Sequence, residues 1–247
     1  MTPEPTRFNS ATHTYTCTTS GPYFFGVSAG IPAGVRALVQ LRYMGFPVGE
    51  LARLTSTTND NTTLAGKFLM NCNRGMTVTV ELITGQVSPG PLDGDSLLSF
   101  TAFHYNQTFG HTTAWSVYSE SNWTANANGI DPFRYDADDL TIGDVSWSRS
   151  SNEVTISRAG SYYVYVSGGT QPNNPFGLTV QRNGDPVFGV YRTATNWDGI
   201  DTLGHGAVVL LDRNDRLKVV AEPNTEGYSA PEKRHTSFFG FLVISNV

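Results

Sequence analysis

Apolar and polar positions along this chain follow a period of two far more often than a helical period. In the second half, AWSVYS (114–119), VTISRAGSYYVYVSG (154–168), FGLTVQRNGDPVFGVYR (176–192), GHGAVVLLDRNDRLKVVAE (204–222) and SFFGFLVI (237–244) alternate or run apolar, with Gly, Pro, Asn and Asp where the chain must reverse. Each such run predicts a strand or a strand pair. RNGDP (182–186) predicts a tight hairpin, because Asn-Gly accepts the positive φ that such turns demand, and DRNDR (212–216) is expected to reverse the chain in the same way. No stretch of this half sustains a 3.6-residue apolar period, so helices are expected to be minor. Strands this short and numerous predict a sandwich or a barrel. In GSYYVYVSG, alternation sends Tyr163 and Tyr165 to one face and Tyr162 and Val164 to the other, and one of those faces must be core.

The pattern occurs twice. YTCTTSGPYFFGVSAG (15–30) aligns with VTISRAGSYYVYVSGG (154–169) at an offset of 139, matching Thr16 with Thr155, Gly21 with Gly160, Tyr23 with Tyr162, Ser28 with Ser167 and Gly30 with Gly169. The offset persists at Gly45/Gly184, Pro47/Pro186, Val48/Val187 and Leu64/Leu203. It slips to 140 at Gly66/Gly206 and to 138 at Ser99/Ser237, Phe100/Phe238 and Phe103/Phe241, as loop insertions would make it do. A period this long exceeds any solenoid unit, so two whole domains are expected in tandem, at residues 1–107 and 108–247.

Composition agrees with this and narrows the chemistry. Charged residues make up 15% of the 247, with 25 Gly and 13 Pro, which suits many turns. A formal charge of -5, with no cluster of Lys and Arg, argues against nucleic acid as a partner. No apolar run approaches the ~18 residues of a membrane-spanning helix. MTPEPTRFNS has neither the basic start nor the apolar stretch of a secretory signal. The five histidines form no H-x-x-x-H array and no G-x-S-x-G turn is present, so no enzyme is expected. Asp136, Asp138 and Asp139 in DADDL, and Asp198 and Asp201 in NWDGID, suit either calcium or solvated Asp-rich turns. No other cofactor is expected. Cys17 and Cys72 allow one bridge or two buried thiols. Asn61, Asn106 and Asn122 head N-x-[ST] sequons, which would be glycosylated in a secreted chain.

Residues 114–247 resemble the globular-head domain of the complement 1q family, which shares its jelly roll with the tumour necrosis factor ligands. The resemblance is carried in order by AWSV (114–117), FRYD (133–136), VTISRAGSYYVYVSG (154–168), VQRNGDPV (180–187), GAVVLLDRNDRLKV (206–219) and TSFFGFLVI (236–244). Two departures stand out: RND replaces the usual Gly-Asp turn, and Ile156 occupies a common cysteine position that Cys17 restores in the first copy.

The resemblance implies two tandem all-β jelly-roll sandwiches. It implies an extracellular, secreted recognition protein that forms homotrimers and binds glycans, microbial surfaces or proteins, as in innate-immune pattern recognition. The alternative is a cytokine-like or matrix-scaffold ligand built on the same trimer. The second copy spends 34 residues (114–147) reaching Trp147, whereas only eight (1–8) run from Met1 to the equivalent Phe8 in the first. The opening strands of the first sandwich are therefore expected to be missing, through truncation or because another chain supplies them.

Overall fold

The computed structural model describes residues 8–9, 12–32, 34–54, 62–86, 98–105, 112–170, 173–192, 201–230 and 233–245. The chain divides into two compact units, Met1–Asn106 and Gln107–Val247. All regular structure among the described residues is strand, without a helix.

The first unit contains β1 (Phe8–Asn9), β2 (Thr14–Thr16), β3 (Gly21–Ile31), β4 (Arg36–Tyr43), β5 (Phe46–Leu54), β6 (Thr62–Cys72), β7 (Thr77–Thr84) and β8 (Leu98–His104). They form two antiparallel sheets, β1-β2-β7-β4-β5 and β6-β3-β8. The second unit contains β9 (Ala114–Ser119), β10 (Trp123–Thr124), β11 (Ala137–Ile142), β12 (Val145–Ser148), β13 (Glu153–Ile156), β14 (Gly160–Thr170), β15 (Phe176–Arg182), β16 (Asp185–Arg192), β17 (Asp201–Leu211), β18 (Arg216–Ala221), β19 (Glu226–Gly227) and β20 (Thr236–Ser245). Its main sheets are β11-β9-β20-β14-β17 and β12-β13-β18-β15-β16, with β10 and β19 as a small separate pair.

From β13 onward the chain swaps sheets at almost every connection, and only β15 and β16 follow one another within a sheet. That Greek-key weave is a jelly roll. The first unit repeats it strand for strand, β2 to β8 matching β13 to β18 and β20. In the second unit β20 is flanked by β14 and β9, whereas in the first β8 pairs with β3 and has no second strand neighbour among the described residues.

Alternation builds both cores. Tyr162, Val164 and Val166 of β14 meet Phe176, Leu178 and Val180 of β15, together with Trp115, Phe133, Tyr135, Phe238 and Leu242, in one buried cluster. Tyr15, Tyr23, Phe25, Val39, Leu41, Phe68 and Val78 do the same work in the first unit. The repeat extends to polar detail. Tyr162 donates its hydroxyl to the Arg158 carbonyl at 2.8 Å, and Tyr23 donates to the Thr19 carbonyl at 3.2 Å, 139 positions earlier. Each buried tyrosine thereby satisfies its one polar atom at the mouth of its core.

The two expected reversals differ. Asn183 and Gly184 both take positive φ, 54° and 96°, and close the β15–β16 hairpin. DRNDR also turns, with Asn214 at φ 71°, but β17 and β18 lie in different sheets, so it is a crossover rather than a hairpin. Buried Asp215 organises it, accepting the Asp212 amide at 2.7 Å, Arg182 Nε at 2.7 Å and Asn183 Nδ2 at 2.7 Å. These bonds splay the strands toward opposite sheets, which a paired hairpin would not permit.

Candidate functional site

The outward face of β14, β17 and β20 is built from residues whose neighbours along each strand point into the core. Tyr163 and Tyr165 stand on β14 and lie beside Phe241 and Phe239 of β20, with ring centroids 5.4 Å apart for Tyr163–Phe241 and 5.0 Å for Tyr165–Phe239. On the other side, Tyr163 pairs with Val208 and Tyr165 with Gly206. A Cβ at Gly206 would lie 2.7 Å from Tyr163 Cζ, and one at Gly204 would lie 2.5 Å from Tyr165 Cζ. Glycine at these positions therefore lets both rings lie across β17.

The aliphatic part of this face is open to water. Val208 is 64% exposed and Leu210 55%, and Ile244 on β20 is also exposed. Three large exposed aliphatic side chains on one face, beside rings of which Tyr165, Phe239 and Phe241 are themselves buried, form a surface of the kind that marks association. Alternation alone placed the two tyrosines on a common face; which face is core is decided by Tyr162 and Val164 joining the buried cluster. Val208 and Leu210 were not singled out, because GAVVLLD reads as one apolar run; their partners across β14, Tyr163 and Ser161, decide which way they point.

The candidate calcium ligands are dispersed. Asp136 accepts the Glu120 amide at 2.8 Å just before β11. Within β11, Asp138 pairs with Arg149 at 3.0 Å and Asp139 with Arg234 at 2.5 Å. Asp201 opens β17 and pairs with Arg192 at 2.5 Å. β11 and β17 are the two edges of a five-stranded sheet, about 19 Å apart at ~4.8 Å per strand. Asp198 lies outside the described residues. Among the described residues, no three His, Cys, Asp or Glu side chains gather as a metal site would require. Burial pushes the Asp139 carboxyl up to about 6 even though Arg234 pulls it down. Arg234 also lies over the Tyr118 ring, 4.7 Å from its centroid, so the pair fastens β11 and the segment entering β20 to β9.

Cys17 and Cys72 form a disulfide with Cα atoms 6.3 Å apart. It joins the residue after β2 to the last residue of β6, and so bridges the two sheets of the first unit. In the second unit the equivalent Ile156 fills the same place as a buried core residue. Asn122 is exposed, and its Oδ1 accepts the Ser229 amide at 2.9 Å. Asn61 and Asn106 lie outside the described residues. No helix among the described residues is long and apolar enough to cross a membrane.

No protein-family model matches the chain, and no curated protein matches it. Solved structures do. The chain is similar to the TNF Eiger of S. frugiperda, with 14% identity over 54% of this chain and 93% of that one and a TM-score of 0.44. It is similar to the globular domain of zebrafish complement 1qA protein, with 17% identity over 54% and 99% and a TM-score of 0.43. It is also similar to murine APRIL, with 15% identity over 53% and 99% and a TM-score of 0.42. Likenesses this distant bear on fold alone, and the strand order within each unit establishes the jelly roll independently of them.

Proposed function

We propose that the chain is a secreted, non-catalytic recognition protein of the complement 1q and tumour necrosis factor type. Its jelly rolls associate into homotrimers through the outward face of β14, β17 and β20, and bind glycans, microbial surfaces or proteins with the surfaces that assembly leaves free. The observation that carries the assembly half is the exposure of the aliphatic side chains Val208, Leu210 and Ile244 on one sheet face, bordered by the packed rings of Tyr163, Tyr165, Phe239 and Phe241, of which the last three are buried. Leaving such a face in water forfeits ~25 cal/mol for each Å² that a partner would cover. The Cys17–Cys72 disulfide supports an oxidising, extracellular setting. Several identical heads would convert weak single contacts into avidity.

Sedimentation velocity tests the assembly. A trimer is expected at micromolar concentration, and a Val208→Glu/Leu210→Glu double variant is expected to sediment as a monomer with its fold intact. A compact wild-type monomer would remove the proposal. The cytokine-like or scaffold alternative uses the same trimer but predicts no carbohydrate binding, so a glycan array separates the two.

A further inference from the structure

The opposite side of the second sandwich carries an aromatic ring that assembly through β14, β17 and β20 would leave open. Tyr191 of β16 points away from the core and is 60% exposed. Its ring lies flat across the sheet. A Cβ at Gly189 would sit 2.7 Å from Tyr191 Cε2 and 2.9 Å from its Oη, and a Cβ at Gly177 would sit 3.2 Å from its Cδ1. The ring therefore rests one face on the backbone of two glycines, one on β16 and one opposite it on β15, and turns the other face to solvent.

The hydroxyl end is pinned. Thr179 Oγ1 donates to Glu222 Oε1 at 2.6 Å, and the Tyr191 hydroxyl touches Thr179 Oγ1 and lies 3.4 Å from the same Glu222 oxygen. A ring held this way is already ordered, so a ligand stacking on it does not have to supply that entropy.

The fold does not require this arrangement. The first unit builds the same strand pair with Leu38 and Ala52 where the second has Gly177 and Tyr191, and with Gln40 and Glu50 where it has Thr179 and Gly189. Glu222 is replaced there by Ile83, 139 positions earlier. Both glycines, the ring and the carboxylate at position 222 are thus present together in one unit and replaced together in the other, where the carboxylate of Glu50 stands in the place of Gly189.

We propose that Tyr191 is a stacking site for a neutral pyranose ring; this rests on the glycan-recognition reading above and places its contact. The electron-rich face of the phenol suits the weakly positive C–H face of a sugar. Glu222 at the rim offers carboxylate oxygens to sugar hydroxyls, and Gln181, next along β15 on the same face, offers an amide. Lys218 on β18 is committed to Asp131, and Arg192, next to Tyr191 on β16, to Asp201, so a carboxylate borders the ring and these two cations are already neutralised. That charge arrangement favours neutral hexoses and N-acetylhexosamines over sialylated or sulfated ones.

The test uses the full chain, a glycan array carrying neutral, sialylated and sulfated arms, and titration with methyl glycosides of neutral hexoses and N-acetylhexosamines followed by amide NMR shifts. Binding to neutral arms is expected, with shifts centred on Gly177, Thr179, Gly189, Tyr191 and Glu222. Tyr191→Ala should lose at least tenfold in affinity while Tyr191→Trp retains it. Shifts centred elsewhere, or full binding by a folded Tyr191→Ala, would overturn the site and leave glycan recognition standing; the ring would then be a cover for two glycines only. Preference for the anionic arms would overturn the site's charge logic. Failure of the wild-type chain to bind any glycan would overturn both. Should Tyr191→Ala not fold, the wild-type shift map decides by itself.

Discussion

Trp115 occupies the space that residue 240 leaves by being glycine. The two residues sit opposite each other on β9 and β20, and a Cβ at position 240 would lie 2.5 Å from Trp115 Cζ2. β20 is the middle strand of its sheet, so neither side can move away without breaking a ladder.

Gly240→Ala should therefore destabilise the second unit by overpacking, by about 2 kcal/mol or more. Trp115→Leu in the same chain opens room, so the double variant should lose less than the sum of the two single losses. Urea unfolding of all four proteins measures the coupling. Strict additivity would mean the ring and the glycine do not confront each other.

The disulfide closes a loop of 55 residues. A bridge over such a loop contributes about 4 kcal/mol through the entropy it removes from the unfolded chain. Cys17→Ser/Cys72→Ser should lower the calorimetric transition of the first unit and leave the transition of the second in place. Equal loss in both transitions, or in neither, would contradict a bridge confined to the first sandwich.

How much of this was legible in sequence depends on whether the meaning was local. Alternation found β9, β14 and β20 and put Tyr163 and Tyr165 on a common face, because strand geometry forces opposite facing on successive residues, but it did not say which face is core. Asn183-Gly184 declared its hairpin because the backbone conformation is a property of those two residues. DRNDR was misread because turn chemistry specifies a reversal and not whether the strands then pair; that depends on Asp215 reaching Arg182 and Asn183 more than 30 positions away. The Cys17–Cys72 pairing stayed open because a separation of 55 residues says nothing about distance. Tyr191 was invisible for the same reason, since its setting is made by Gly177, Thr179 and Glu222 from two other segments.

Deleting Ser237–Val247 should yield insoluble protein. Phe238, Phe239 and Leu242 are buried on β20, and loss of each large buried side chain costs roughly 2–5 kcal/mol, comparable in sum with a whole domain's stability. A soluble product with a cooperative transition for the second unit would show that β20 is not central.

In cells that secrete the chain, Asn122 should carry an N-linked glycan. It is exposed, with Thr124 exposed two residues on, and its Oδ1 is held by the Ser229 amide so that the side chain has a defined orientation. Peptide mapping before and after enzymatic deglycosylation reads occupancy directly, and an unmodified Asn122 in secreted protein would refute the assignment.

Asp139 should make the second unit lose stability as pH rises. Its carboxyl titrates near 6 in the folded chain against 3.8 when unfolded, chiefly because burial disfavours the charge and only partly because Arg234 offsets that. Between those values the folded state holds more protons than the unfolded one, so unfolding becomes easier with each step upward in pH. The group's contribution is fully present below about pH 4 and lost as pH passes through 6, a change on the order of 3 kcal/mol for a shift of about two units. Asp139→Asn mimics the protonated form and cannot titrate. Wild type and variant should therefore be close in stability at pH 4, with the variant gaining relative to wild type by pH 7. Subtracting one from the other at each pH cancels every other titrating group. Urea unfolding at pH 4, 5, 6 and 7 measures that difference. A difference that stays flat, or that favours wild type as pH rises, would mean that the Arg234 pair outweighs burial and that the folded carboxyl is not raised.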